Sequence, residues 1–286
     1  MNESRLTRPV RALVLGAVAY DPKVVTIWEG FRAHFLAHGL SFDFVLYSNY
    51  ERQVEAHLRG DIDVAWNSPL AWIETERAAR KKGRRAEAIA MRDTDHDLTS
   101  VVLVRADAPV REAADLRGKR IGVGATDSPQ ASLIPLASLA EAGVVGVEVH
   151  HDVLVGKHGD HVGGERDAVR ALLAGTVDAA CVLDGNRLAF AREGLIAPQG
   201  PTAVRVVHQT APYDHCNFTV LDGAPPEIAR FRSLLMAMSY DDPAIRPLLD
   251  LEGLKSWLPG RTSGYAQLER AVDRFGTIDA WLAHVG

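Results

Sequence analysis

The sequence predicts an α/β protein with two lobes, each a mainly parallel sheet flanked by helices. Short apolar runs rich in β-branched residues alternate with helical patterns along the chain, which is typical of parallel sheets covered by helices. At 286 residues and 47% hydrophobic content, the chain can bury a large core and forms one large or two modest domains. Polar segments at 92–97 and 209–215 interrupt the alternation. They predict two crossover segments and a cleft between the lobes.

The spacing of apolar residues predicts where each strand and helix lies. Segments with the composition of buried strands are predicted at 10–18, 41–48, 62–67, 99–105, 119–124, 147–155, 177–183, 203–209 and 216–222. Segments with apolar residues at helical spacing are predicted as helices at 24–38, 50–59, 69–82, 129–142, 165–174, 186–193, 226–238 and 264–283. The crossovers then assign 1–95 and 210–286 to lobe 1 and 96–209 to lobe 2.

Charge and cysteine usage exclude several classes of function. The net charge of −5 provides no general basic field for nucleic acid, and the basic run Arg77–Arg85 contains no aromatic residues. We interpret this run as a solvated helix end and expect no nucleic-acid partner. The two cysteines, Cys181 and Cys216, do not form a disulfide framework.

The N-terminal segment resembles a first strand more than an export signal. Its apolar stretch, 12–19, is short for a secretory signal and is followed at once by Asp21 and Pro22. No run approaches the roughly 18 apolar residues of a membrane span. The expected location of the chain as printed is therefore cytoplasmic, or periplasmic if an export signal has been removed.

The stretch "GATDSPQASLIPL" (124–136) predicts an anion site. A strand that ends at Gly124 and a helix that begins within 128–132 would direct unpaired backbone N–H groups towards a ligand. Pro129 suits the first helical position, whereas Pro135 requires a late start or a kink. The candidate ligand-binding side chains here are Thr126, Ser128 and Gln130, with Ser132 as an additional hydroxyl donor. The alternative is an ordinary N-cap.

Polar side chains also follow two predicted strands of lobe 1. Tyr20 and Asp21 follow the first strand, and Asn67 and Ser68 follow the third. Ligands of open parallel sheets bind at the carboxyl ends of strands, so these four residues are candidate ligand contacts. The alternative for the second pair is a helix cap between tryptophans that belong to the core.

Histidines cluster in "HHDVLVGKHGDHVGGERDA" (150–168), and "YDHCN" adds His215. Imidazole beside carboxylate or thiolate can bind a transition metal, and His158, His161 and His215 are the candidate metal ligands. The spacing lacks the fixed i, i+4 face of a helical zinc motif. We therefore expect no cofactor and keep a metal site as an alternative.

The segments "YERQVEAHLRGDIDVAWNSPLAWI", "DLRGKRIGVGATDSPQASLIPLASLAEAG" and "ERDAVRALLAGTVDAACVLDG" occur in an order that resembles a known family. The chain is similar to type II periplasmic-binding proteins, within them to the phosphate, phosphite and phosphonate substrate-binding proteins of ABC importers. The resemblance implies a small anionic ligand and an ABC permease as partner. It also implies a histidine that contacts the ligand's oxyanion from the loop, which favours His158 with Lys157 as helper.

Asp184 follows another predicted strand, within "VLDGN", and is expected to face the cleft from lobe 2. A carboxylate at an anion site requires a ligand with a positive or hydroxyl-bearing part, as in the aminoalkyl phosphonates of the resembled family, or a protonated oxyanion. The alternative is an N-cap of the following helix.

The sequence supports two alternative functions. The favoured one is a solute-binding protein or cytoplasmic sensor that closes its lobes on a small oxyanion, with His215 as a further donor. The alternative is an enzyme on the same scaffold that uses His158, His161, His215 or Cys216 in acid–base, nucleophilic or metal-assisted chemistry. The absence of a catalytic triad or a strong metal motif favours the binder.

Overall fold

The computed structural model describes residues 11–151 and 161–285. The chain divides into two compact units. The first contains the described residues up to Thr94 and Cys216–Arg261, and the second contains Asp95–His215 and the described residues from Thr262 onward. Each unit has a sheet flanked by helices, so the predicted α/β class with two lobes is confirmed. The sheets are mixed, however, and not mainly parallel.

The first unit is built on a six-stranded sheet with the order β11-β4-β10-β3-β1-β2. Its strands are β1 (Leu13–Val18), β2 (Phe42–Tyr47), β3 (Val64–Asn67), β4 (Ala86–Arg92), β10 (Asn217–Leu221) and β11 (Trp257–Pro259). β1 pairs in parallel with β2 and β3, whereas β10 lies antiparallel between β3 and β4. The strand that returns from the crossover thus runs against its neighbours, which explains the mixed sheet.

The helices of the first unit are α1 (Lys23–Ala37), α2 (Tyr50–Arg59), α3 (Pro69–Lys81), α7 (Glu227–Ala237) and α8 (Arg246–Glu252). Helix α1 buries Trp28, Phe31 and Phe35 at helical spacing, and these rings join Phe218 of β10 and Trp257 of β11 in one aromatic core. Aromatic side chains bury the largest apolar areas, so this cluster fixes α1 against the sheet.

The second unit contains a five-stranded sheet with the order β7-β6-β8-β5-β9. Its strands are β5 (Ser100–Arg105), β6 (Arg120–Val123), β7 (Val147–His150), β8 (Ala179–Leu183) and β9 (Val204–Gln209). β6 pairs in parallel with β7 and β8, and β5 pairs antiparallel with β8 and β9. Its helices are α4 (Ile134–Glu141), α5 (His161–Leu173), α6 (Asp184–Arg192), α9 (Ala266–Phe275) and α10 (Asp279–Val285).

The C-terminal segment corrects the predicted division of the chain. Residues 262–285 belong to the second unit, not to lobe 1 as predicted from the crossovers. The reason is tertiary: α9 packs on α4, Arg270 forms an ion pair with Glu141, and the Gln267 side-chain amide donates to the carbonyls of Ala211 and Pro212. The predicted helix 264–283 is also two helices, because Gly276 adopts a left-handed φ of 59° that ends α9.

Two strands, β4 and β11, and one α-helix, α8, were absent from the sequence prediction. Conversely, the predicted exposed basic run is present. Four basic residues at and after the end of α3 are exposed, namely Arg80, Lys81, Lys82 and Arg85, as expected of a solvated helix end. Both cysteines are buried thiols. Among the described residues, no helix combines the length and apolarity that a membrane span requires.

Candidate functional site

The strand ends of the second sheet bring four of the predicted site residues to one edge. The parallel strands β6, β7 and β8 end there at Val123, His150 and Leu183, and antiparallel β5 begins there at Ser100. Two described segments leave the sheet at this edge: the 124–133 loop and helical turn, and the start of α6. Thr126, Ser128, Gln130 and Asp184 therefore lie at the same edge of the sheet, as the sequence predicted.

Ser128 organises the loop. Its Oγ accepts a hydrogen bond from the Ala131 N–H at 3.2 Å, which makes it the N-cap of a π-helical turn, Pro129–Leu133, that leads into α4. Its carbonyl oxygen accepts from the N–H groups of Ser132 and Leu133. The N-cap interpretation is therefore correct for Ser128, and the wide turn accommodates Pro135 near the start of the regular helix.

Backbone donors of this loop are left over, among them the N–H groups of Thr126 and Gln130. Pro129 has no N–H, and the N–H of Ala131 already donates to the Ser128 hydroxyl. Among the described residues, no acceptor receives the N–H of Thr126 or of Gln130. Unpaired N–H groups at the start of a helical segment attract anions, because the donors and the helix dipole act in the same direction. The loop thus has the donors of an oxyanion site.

Residues that sequence reasoning missed hold this loop in place. The Ser100 hydroxyl donates to the Gln130 carbonyl at 2.6 Å, and it lies 2.7 Å from the hydroxyl of buried Tyr213. Tyr213 belongs to the second crossover, and its backbone pairs with Leu98, the residue that follows the first. The two polar segments of the sequence therefore run beside each other, and they anchor the loop through Ser100.

Glu165 lies beneath this edge on α5 and is fully buried. Its Oε2 accepts from the Leu183 N–H at 2.9 Å and from the Asn186 side chain at 3.0 Å. Burial raises the pKa of Glu165 to about 7, because desolvation of the carboxylate outweighs the hydrogen bonds that favour its charge. The same helix begins with His161, whose Nε2 lies 3.5 Å from the carboxylate of Asp127 in the loop.

Close packing joins α5 to the loop at Gly164. A Cβ at this position would lie 2.7 Å from the carbonyl oxygen of His151 and 3.5 Å from the Cα of Gly124. The first contact is shorter than real Cβ contacts and involves backbone, which cannot rotate away. Gly164 is thus required for α5 to approach the loop.

We expect Gly164→Ala to destabilise the protein by about 1–3 kcal/mol, the usual cost of overpacking, and to weaken anion binding because α5 and the loop must separate. Urea unfolding measures the first effect and calorimetric titration the second. Gly185→Ala is the matched control, since a Cβ there meets no atom closer than 4.0 Å. Equal losses for the two variants would contradict this explanation.

Asp184 is the first residue of α6, and its carboxylate accepts from the Arg187 Nε at 2.6 Å. The N-cap position is Leu183, so the alternative of an N-cap at Asp184 is wrong. The Arg187 guanidinium balances the charge of this carboxylate. Its predicted contact with the ligand stays a prediction.

The predicted histidines fall into three groups. Lys157 and His158 lie outside the described residues. His161 pairs with Asp127, and no group of three metal-binding side chains in the described ranges contains it. His215 lies in the second crossover, with its Nδ1 3.4 Å from the buried Asp95 carboxylate and its carbonyl bonded to the Tyr265 hydroxyl. The roles predicted for these histidines stay predictions.

In the first unit, Tyr20 and Asp21 follow the carboxyl end of β1 as predicted. Tyr20 is 42% exposed. Asp21 is exposed as well, but its Oδ1 accepts from the Lys23 N–H at 2.8 Å and so supports the first turn of α1. Tyr20 therefore offers an accessible side chain, whereas Asp21 has a local structural role.

Asn67 and Ser68 lie at the carboxyl end of β3, where both have structural partners. The amide nitrogen of buried Asn67 donates to the hydroxyls of Thr75 and Thr219, and its oxygen accepts from the Gln53 amide. Ser68 is the N-cap of α3 and accepts from the Ala71 N–H at 3.3 Å. The helix-cap alternative is correct for Ser68, and Asn67 ties β3 to its neighbours.

Arg92 is a candidate anion contact that the sequence analysis missed. It ends β4, which runs parallel to β3 across β10, so it lies at the same sheet edge as Tyr20. The guanidinium donates to the Glu252 carbonyl at 2.8 Å and lies over the Trp66 ring. The pKa of Tyr20 is raised, chiefly by burial and then by the Glu252 carboxylate, while Arg92 lowers it. Arg92 and Glu252 are in direct contact, and both charges act on the Tyr20 phenol.

Comparisons with known proteins agree with this architecture. The model of a family described as the periplasmic phosphonate substrate-binding protein of ABC transporters matches residues 19–265. Among solved structures, PhnD1 from Prochlorococcus marinus (MIT 9301) in complex with methylphosphonate is 16% identical, with a TM-score of 0.64 over 93% of this chain and 98% of its own. XAC2383 from Xanthomonas citri bound to chloride ion is 18% identical, with a TM-score of 0.69. The match covers 92% of this chain and 99% of XAC2383.

A third similar structure is the periplasmic aliphatic sulphonate binding protein SsuA from Escherichia coli. It is 16% identical, with a TM-score of 0.56 over 93% of this chain and 87% of its own. At these identities the likeness shows the fold alone, which is the type II periplasmic-binding-protein fold expected from the sequence.

Proposed function

The chain belongs to the family of periplasmic phosphonate substrate-binding proteins of ABC transporters, and from this we propose that it binds a small phosphonate- or phosphate-type oxyanion and leaves it chemically unchanged. The observation that carries the proposal is the loop after β6. There, the N–H groups of Thr126 and Gln130 have no acceptor among the described residues, at the start of a helical segment capped by Ser128. A tetrahedral oxyanion supplies the missing acceptors.

The acidic groups beside the loop favour a ligand that also donates a hydrogen bond. Asp127 lies within the loop, and Glu165 lies beneath it. A monoprotonated phosphonate or phosphate carries an O–H donor, whereas a sulfonate carries none at neutral pH. We therefore propose that phosphonates and phosphate bind more tightly than sulfonates of the same size.

The proposed partner is an ABC permease and the proposed location is the periplasm, both in keeping with the family. The enzyme alternative makes a different prediction, since a bound ligand would be converted. Calorimetric titration with methylphosphonate, followed by phosphorus NMR of the same sample, separates the two functions. We expect saturable binding and an unaltered methylphosphonate signal. Absence of binding to methylphosphonate and to phosphate would contradict the proposal, and a new phosphorus signal would favour the enzyme.

Closure of the lobes around the ligand, inferred from the sequence, stays a prediction. We expect small-angle X-ray scattering to show a smaller radius of gyration when saturating methylphosphonate is added, because closure draws the lobes together. Maltose at the same concentration is the control for solvent contrast. An unchanged curve from a sample in which calorimetry demonstrates binding would contradict closure.

A further inference from the structure

A pocket of about 200 Å³ lies in the first unit, at the amino-terminal edge of its parallel strands. Its lining includes Arg11 before β1, His57 in the last turn of α2, Asp63 before β3, Arg84 before β4, and Leu221 and residues 223–225 at and after the end of β10. Tyr20 and Arg92 lie at the opposite, carboxyl-terminal edge of this sheet. The pocket is therefore separate from the residues discussed above.

His57 is the unusual member of the lining. The residue is only 1% exposed, and neither ring nitrogen has a hydrogen-bond partner among the described residues. The Asp63 backbone lies near enough to influence the ring without reaching hydrogen-bond geometry. Buried polar groups are nearly always hydrogen-bonded, so a ring that lines a pocket with both nitrogens unpartnered points to a ligand there.

The charged groups of the lining define which ligand fits. Arg84 is held rigidly, because its guanidinium donates to the Leu58 carbonyl at 3.2 Å and to Asp222 at 3.0 and 3.1 Å. Arg11 is the more exposed of the two, with a side chain that is 66% accessible and bonded to Asp63 at 3.3 Å. The second oxygen of Asp63 accepts from the Val14 N–H. Each guanidinium is thus paired with one carboxylate, Arg84 with Asp222 and Arg11 with Asp63, and each keeps N–H groups that these pairs do not use.

We propose that this pocket is a second binding site, for a small oxyanion of the phosphate class, with His57 and the two arginines as its donors. The volume is that of about seven water molecules at roughly 30 Å³ each, which is enough for a single phosphate group. Guanidinium and imidazole N–H groups are strong donors to phosphate oxygens. The neutral ring offers one N–H to the anion, and the rigid Arg84 presents the two remaining N–H groups of its fork.

The test follows the His57 ring in the whole protein by long-range ¹H–¹⁵N NMR during titration with inorganic phosphate at neutral pH. We expect saturable shifts of the ring ¹⁵N resonances, because the neutral ring gains an acceptor for its N–H when the anion binds. Burial and Arg84 hold the pKa of His57 at about 4, with Asp63 opposing them, so the ring is neutral when the titration begins. Sodium chloride at matched ionic strength should leave the ring unchanged. A ring that does not respond to phosphate, or that responds equally to chloride, would overturn the proposal.

Three variants test whether the phosphate response of His57 arises in this pocket. Arg11→Met should weaken the phosphate response of His57 by roughly tenfold, because a charge-assisted hydrogen bond is lost. Arg59→Met removes the same charge from an exposed residue of α2 that does not line the pocket, and it should preserve the response. The response should also persist in Ser128→Asp, which disables the loop of the second unit. Equal losses in the two arginine variants, or loss in Ser128→Asp, would show an indirect effect and overturn the second site.

Discussion

Replacement of Ser128 by aspartate should lower the affinity for methylphosphonate by roughly a thousandfold while the fold survives. Like charges about 4 Å apart repel by roughly 4 kcal/mol at an effective dielectric constant near 20, and each 1.4 kcal/mol is a factor of ten in affinity. The fold should survive because aspartate is a favoured N-cap residue and can accept the Ala131 N–H in place of the serine hydroxyl. Calorimetric titration measures the loss, and circular dichroism checks the fold.

The matched control is Ser128→Asn, which has nearly the same size and is also a favoured N-cap but carries no charge. We expect its affinity to stay within about tenfold of the wild type. If the aspartate and asparagine variants bind equally well, the loop does not face the anion. If both variants lose binding equally, the loss comes from the size of the new side chain and not from its charge.

The second large effect concerns the stability of the protein between about pH 4.5 and pH 7. Burial raises the pKa of Glu165 from 4.5 to about 7, so the folded protein holds this proton more tightly than the unfolded chain does. The stabilisation from Glu165 is therefore complete below about pH 4.5 and is lost as the pH rises to about 7. At about 1.4 kcal/mol for each pKa unit, the loss is on the order of 3 kcal/mol.

Glu165→Gln removes the titrating proton and keeps the shape of the side chain. We expect the difference in unfolding free energy between this variant and the wild type to change across the pH range, in favour of the variant at pH 7. Urea unfolding at a series of pH values measures this difference. Gly185→Ala, which removes no titrating group from the same unit, is the control and should show a constant difference. A constant difference for Glu165→Gln as well would contradict the assignment.

Periodicity predicted most of the fold, and the failures have physical causes. Helix α1 was predicted within one residue at each end because its buried residues follow a helical spacing. Strand β4 was missed because "AEAIAMR" is rich in alanine and glutamate, which have weak strand preference. Strand β11 has only three residues. The assignment of α9 depended on packing against α4, which no local pattern reveals.

The candidate site was predictable where its residues follow the ends of strands. It was less predictable where a residue's partners are distant in the sequence. The loop around Ser128 follows a predicted strand, and its composition indicated both the cap and the donors. Asn67 was misjudged because one of its partners, Thr219, is 152 residues away in sequence. Arg92 was missed together with the strand that it ends.

Glu165 was detectable in principle. It lies on the buried face of α5 with Ala168, Val169 and Leu172, at the spacing of an apolar stripe. A carboxylate on an apolar helical face predicts a raised pKa or a specific partner.

The central claim, that the loop after β6 holds the oxyanion, is tested most directly by ¹H–¹⁵N spectra of the wild-type protein during titration with methylphosphonate. We predict that the amide resonances of Thr126 and Gln130 move downfield and saturate at the ligand concentration at which calorimetric binding saturates, because these N–H groups gain an acceptor. Amides of Thr126 and Gln130 that stay unchanged while calorimetry shows the ligand bound would contradict the claim.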